Sequence, residues 1–161
     1  MKNPPELIIY TDGSALGNPG PGGCAAVLKY GSNRKEISKG FRKTTNNRME
    51  LMGVILALEA LNKEGLNFTV YSDSRYVVDA IEKKWVYSWH SKGFKGKKNP
   101  DLWLKILKLI KKQNVKFKWV ESHVGIPENE RCDYLAKKAA EMPSEIDEWY
   151  ENNMDKQDLF D

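Results

Sequence analysis

No stretch of the chain approaches the roughly 20 consecutive apolar residues that a membrane helix requires, so no spanning segment and no membrane partner are expected. Cysteine is nearly absent. Cys24 and Cys132 form neither a disulfide framework nor a metal-ligand spacing, and both read as reduced thiols. Histidine is as scarce, with His90 and His123 alone. Met1-Lys2-Asn3-Pro4-Pro5 runs directly into an apolar stretch, which leaves no room for a signal peptide there. The expected location is cytoplasmic. Gly17-Asn18-Pro19-Gly20-Pro21-Gly22-Gly23 is a turn segment without the Gly-Lys-Ser/Thr ending that a phosphate-cradling P-loop needs.

What is present suits one folded domain: 161 residues, 40% hydrophobic and 30% charged. The net charge of +4 hides an asymmetry, because residues 142–161 hold seven acids against one lysine. The first 141 residues therefore carry +10, which fits a polyanionic partner or a merely soluble lysine-rich surface. The acidic tail, with Pro143 and Asn152-Asn153, shows little periodicity and is expected to be partly ordered or disordered.

Leu7-Ile8-Ile9-Tyr10-Thr11-Asp12-Gly13-Ser14 reads as a central strand ending in an acid. Residues 24–30 and 34–42 read as a hairpin about Gly31-Ser32-Asn33. Thr44-Thr45-Asn46-Asn47 caps a helix expected to run to about Asn62, with Glu50, Val54, Ala57 and Leu61 on one face. An acid on the packed face is unexpected, although a first-turn Glu also complements the helix dipole. Phe68-Thr69-Val70-Tyr71-Ser72-Asp73 repeats the apolar run with a terminal Asp. A strand–helix–strand unit favours a right-handed parallel crossover, which would set Asp12 and Asp73 side by side at the carboxyl edge.

Residues 75–90 read as a helix carrying Tyr76, Val77, Ala80 and Ile81 inward, then Trp85 and Trp89. A basic loop follows, with Lys95, Lys97 and Lys98 about Phe94, then a helix with Trp103, Ile106, Leu107 and Ile110 inward. Lysines among exposed aromatics suit a nucleic-acid backbone, or else a solvated face over a tryptophan-filled core. The last strand, Val115 to Val120, leads into a glycine-containing loop with His123. Pro127 then opens a helix bearing Asp133 beside the inward Cys132, Leu135, Ala136 and Ala139. Asp12, Glu50, Asp73 and Asp133 can thus reach one sheet edge. Four carboxylates without thiol or imidazole partners suit a hard cation such as magnesium or manganese. Two such ions roughly 4 Å apart would serve an in-line phosphodiester displacement.

These segments resemble the type 1 ribonuclease H family of the bacterial kind. The motifs are Thr11-Asp12-Gly13-Ser14 with the glycine-rich turn, Thr45-Asn46-Asn47-Arg48-Met49-Glu50 and Ser72-Asp73-Ser74-Arg75-Tyr76-Val77. Trp119-Val120-Glu121-Ser122-His123-Val124-Gly125 and Asn129-Glu130-Arg131-Cys132-Asp133 complete the set. Five weak motifs in this order are highly specific together, and they span about residues 6–141. Ser72 stands where Thr is common and Ala15 where Cys occurs; neither position carries chemistry.

The resemblance implies an α/β ribonuclease H-like fold, a five-stranded mixed β-sheet flanked by α-helices, with residues 1–141 as the catalytic domain. It implies a monomeric endonuclease that cuts the RNA strand of RNA–DNA hybrids, leaving 5′-phosphate and 3′-hydroxyl ends. Asp12, Glu50, Asp73 and Asp133 would be the metal-binding acids, for Mg2+ with Mn2+ as a substitute, two ions being held with substrate. His123 would move protons or assist product departure. Asn18 and Asn46 would read 2′-hydroxyls. Thr45, Arg75, Trp85, Lys95, Lys97 and Lys98 would contact the nucleic-acid backbone. A binding-only module would be expected to lose one of the acids, and a DNA nuclease of related fold would not need the two asparagines.

Overall fold

The structure is a computed structural model that describes residues 5–158. Its order is β1 (Leu7–Ala15), β2 (Gly20–Tyr30), β3 (Asn33–Thr44), α1 (Asn46–Glu59), β4 (Asn67–Ser72), α2 (Arg75–Glu82), α3 (Trp85–Ser91), α4 (Pro100–Ile110), β5 (Asn114–Trp119), α5 (Pro127–Glu141) and α6 (Glu148–Asp158). The strands form one mixed sheet in the order β3-β2-β1-β4-β5. β1, β2 and β3 pair antiparallel, whereas β1–β4 and β4–β5 pair parallel, as the strand–helix–strand reading requires.

One sheet face carries Ile9, Val70 and Phe117, packed with Leu51, Val54 and Ile55 of α1, Val77 and Ile81 of α2, and Trp103 and Ile106 of α4. α5 covers β1, β2 and β3 on the opposite face. The approach of α1 to β1 is close enough to demand glycine on both sides. A Cβ on Gly13 would lie 2.1 Å from the Met49 carbonyl carbon, and one on Gly53 would lie 2.8 Å from the Asp12 carbonyl oxygen. That contact sets Glu50 against the end of β1.

The expected helix over 75–90 is two helices. Lys84 takes a left-handed conformation at φ 63°, which ends α2 and restarts the chain as α3 in a new direction. In α3 the inward residue is Val86, fully buried, while Trp85 is 47% exposed rather than inward. α1 also stops earlier than expected, at Glu59.

The C-terminal segment packs on the body. Ser144 and Glu145 donate their amides to the Gly40 carbonyl, and Arg42 donates to the Glu145 carbonyl, so the segment runs beside the β3 edge. Asp147 is buried and accepts from Arg48 and from Thr44. Arg42 reaches Glu151 of α6 at 2.8 Å. Among the described residues no helix is long and apolar enough to cross a membrane.

Candidate active site

The end of β1 delivers Asp12, the neighbouring parallel strand β4 leads into Asp73, and the first turns of α1 deliver Glu50. One carboxylate oxygen from each lies within 4.8 Å of the other two. The Gly13 amide binds two of these groups at once, donating to Asp12 Oδ1 at 2.9 Å and Glu50 Oε1 at 2.8 Å. Asp12 and Glu50 are buried and Asp73 is half-buried. Burial pushes the Asp12 carboxyl up to about 7, and the charges of Asp73 and Asp133 add to that rise. Burial, then the charge of Asp12, holds Glu50 well above the usual carboxylate range. Asp73 is raised chiefly by burial, with Asp133 adding to it, while Asp12, the Asn129 side chain and His123 pull it down.

Such a cluster is costly unless something relieves its repulsion. Glu50 Oε2 is buried without a hydrogen-bond partner. A hard divalent cation fits this donor set, three convergent carboxylates with an unused oxygen lone pair among them and no soft ligand.

Asp133 stands apart from the three. It is half-buried on α5 and paired with Lys137 at 3.0 Å, although its charge reaches Asp12 and Asp73. His123 is exposed at φ 58° in the loop between β5 and α5, within electrostatic reach of Asp73. Asn18 and Asn46 form one ridge. Asn46 accepts from the Ala15 amide at 2.6 Å, and its own amide donates to Asn18 Oδ1 at 3.0 Å. Thr45 caps α1 by accepting from the Arg48 amide.

Arg75 lies with its guanidinium carbon 3.9 Å above the Trp119 ring, and the Trp119 indole donates to the Asp73 carbonyl. Trp119 therefore braces both Arg75 and the β4 end, a role its place in the last strand did not reveal. The Gly13 amide and the buried Asn129 are the other contributors that sequence reasoning passed over, the first because a main-chain donor leaves no residue signature. Trp85 and Trp89 line a groove of about 350 Å³ with Asn47, Tyr76, Lys97 and Lys98. Lys95, Lys97 and Lys98 are exposed, and Lys97 sits 5.1 Å from the centre of the Trp89 ring. On α4, Lys105 pairs with Glu59 at 3.3 Å.

A family model described as RNase H matches residues 4–141. The chain belongs to the ribonuclease H family. A ribonuclease H of Desulforamulus reducens is 54% identical over 144 residues, covering 86% of this chain and 90% of that protein. One from Rippkaea orientalis is 50% identical over 158 residues, 93% of this chain and 95% of its own. Among solved structures, LC9-RNase H1, a type 1 RNase H with the type 2 active-site motif, superposes with a TM-score of 0.76. It is 30% identical, and the match covers 93% of this chain and 82% of that one. LC11-RNase H1, solved in complex with RNA/DNA hybrid, superposes at 0.63 with 27% identity over 84% of this chain and 97% of that one. The chain thus shares its fold with solved members of the family.

Proposed function

We propose that this protein is a metal-dependent endonuclease that hydrolyses the RNA strand of RNA–DNA hybrids, leaving 5′-phosphate and 3′-hydroxyl ends. The observation that carries the reading is the convergence of Asp12, Glu50 and Asp73 on a common point, with Glu50 Oε2 buried and unpartnered. Asp12, Glu50 and Asp73 would hold magnesium, with manganese as a substitute, and Asp133 would join them by leaving Lys137 as ions and substrate arrive. Two bound ions would activate a water for in-line attack on phosphorus and stabilise the departing 3′ oxygen.

The chain's own groups do the rest. The Gly13 amide fixes the Asp12 and Glu50 carboxylates in their facing orientation. His123, exposed on its loop, takes up a proton near Asp73 and returns it to solvent as product leaves. The Asn18–Asn46 ridge offers polar atoms to 2′-hydroxyls, the group that separates RNA from DNA. Thr45 and the Trp119-braced Arg75 contact backbone. Trp85 and Lys95, Lys97 and Lys98 take the other strand along the basic groove. The protein works as a cytoplasmic monomer in this reading.

The test is incubation of a labelled hybrid with magnesium and, separately, with chelator. Cleavage of the RNA strand in the first alone is expected; an intact RNA strand in both overturns the proposal.

A further inference from the structure

Among the described residues, alternation along the central strands leaves one part of the sheet without a helix over it. Ile9, Val70 and Phe117 face the α1 side of the core, so Tyr10, Tyr71, Lys116 and Lys118 face the other way. On that side α5 packs over β1, β2 and β3. β4 and β5 lie beyond it. Register places Tyr10 beside Tyr71, Tyr71 beside Lys118 and Thr69 beside Lys116. The two tyrosine rings stack at 5.0 Å and 20° and are half-buried; both lysines are exposed. Among the described residues neither lysine forms a salt bridge. The carboxylate nearest this patch in its effect on Tyr10 is Glu128, already held by Arg34 at 2.7 Å and Lys29 at 3.8 Å.

The patch continues the acid cluster. Asp12 follows Tyr10 by two residues within β1 and so shares its sheet face about 7 Å further on, while Asp73 comes directly after the end of β4. One step sideways lie the lysines. A strand leaving the carboxylates along this face would meet aromatic rings for its bases and ammonium groups for its phosphates. Stacking on aromatic rings is sequence-tolerant, and lysine contacts to phosphate release counterions. Two strands at their usual spacing give a face about 10 Å wide, which suits one nucleic-acid strand.

We propose that the open face of β4 and β5, through Tyr71, Lys116 and Lys118, binds a single-stranded extension of the RNA strand running past the carboxylates. The inference rests on the hybrid-cleaving reading above. It places a contact surface on the side of the acids away from the basic groove of Trp85 and Trp89, so that the RNA strand is gripped beyond the duplex it is cut from.

The experiment compares a blunt hybrid with hybrids carrying a six-nucleotide extension of the RNA strand at its 5′ end or its 3′ end, and with DNA-strand extensions of equal length. Affinity is measured by fluorescence anisotropy in chelator at several salt concentrations, for the wild type, Tyr71→Ala and the double variant Lys116→Glu/Lys118→Glu. The expected result is a gain of about fivefold or more for one RNA polarity in the wild type, given the worth of one stacked base with two phosphate contacts. Both variants lose that gain, while their binding and magnesium-dependent cleavage of the blunt hybrid stay unchanged. No gain from either RNA extension, a gain that survives both variants, or an equal gain from DNA extensions overturns the assignment. Failure of the wild type to cut the blunt hybrid overturns the functional reading, and this inference falls with it.

Discussion

Arg48 Nε donates to Asp147 Oδ2 at 2.7 Å, joining the first turn of α1 to the acidic C-terminal segment across 99 residues. The same guanidinium makes a two-pronged contact with Asp101 at 2.9 and 2.8 Å and lies 4.9 Å from the centre of the Trp149 ring. It also donates to Asn99, whose amide donates to Tyr76 in the basic groove. One buried cation thus ties the tail, the start of α4 and the groove wall to the helix that carries Glu50.

Removing one partner of a buried pair leaves the other charge uncompensated, which costs about 3 kcal/mol or more. Asp147→Ala is therefore expected to lower the stability of the folded protein by that order, read from guanidinium unfolding midpoints with an unchanged slope. Loss of Glu151, whose partner Arg42 is solvated, should move the midpoint far less. Equal shifts in the two variants would contradict the role given to the buried pair.

Asp12→Asn and Asp73→Asn are expected to reduce hybrid cleavage by more than about 10²-fold, the scale on which charge-stabilising groups act. Binding in chelator should be retained or tightened, because repulsion between carboxylates and phosphate falls. Affinity and turnover lost in parallel would count against a metal-holding role.

The pH dependence follows from the Asp12 carboxyl, which rises from its ordinary 3.8 to about 7 in the folded state through burial. Between those values the folded state binds the extra proton, so metal-free stability falls as pH rises from about 4 to about 7 and then levels off. Thermal melting in chelator should show this slope, and Asp12→Asn should flatten it. Magnesium binding requires the proton to leave, so magnesium should stabilise the wild type more at pH 8 than at pH 6. A magnesium-induced shift independent of pH would exclude this linkage.

Replacing Lys95, Lys97 and Lys98 with alanine is expected to weaken hybrid binding and to reduce the slope of log affinity against log salt by about 1 to 3, near 0.9 per lost phosphate contact. The RNA cut pattern should persist at saturating protein. An unchanged salt slope would place the duplex elsewhere.

Much of the site is visible one segment at a time. An apolar run with a terminal acid reads as a buried strand delivering a carboxylate to its end, and the chain contains two of them, ending at Asp12 and Asp73. Glu50 is visible as an acid on a helix face that ought to be apolar. These are local facts of period and position, and they survive folding because strand alternation and helix periodicity are properties of neighbouring residues. The break at Lys84 was not legible, since a left-handed residue without glycine leaves no compositional mark, and it turned Trp85 outward.

The sequence alone therefore determined the strands, most of the helices and the family, and marked four acids as candidates, because each depends on local pattern or on motif order. Tertiary structure decided which groups touch. Strand pairing set Tyr10 beside Tyr71 and Tyr71 beside Lys118. Helix packing brought Glu50 onto the Gly13 amide, and Asp147 found Arg48 from the far end of the chain. It also held Asp133 on Lys137, outside the group its spacing had suggested. Contacts between distant segments are selected by burial and charge balance over the whole chain, and no window of sequence contains that sum.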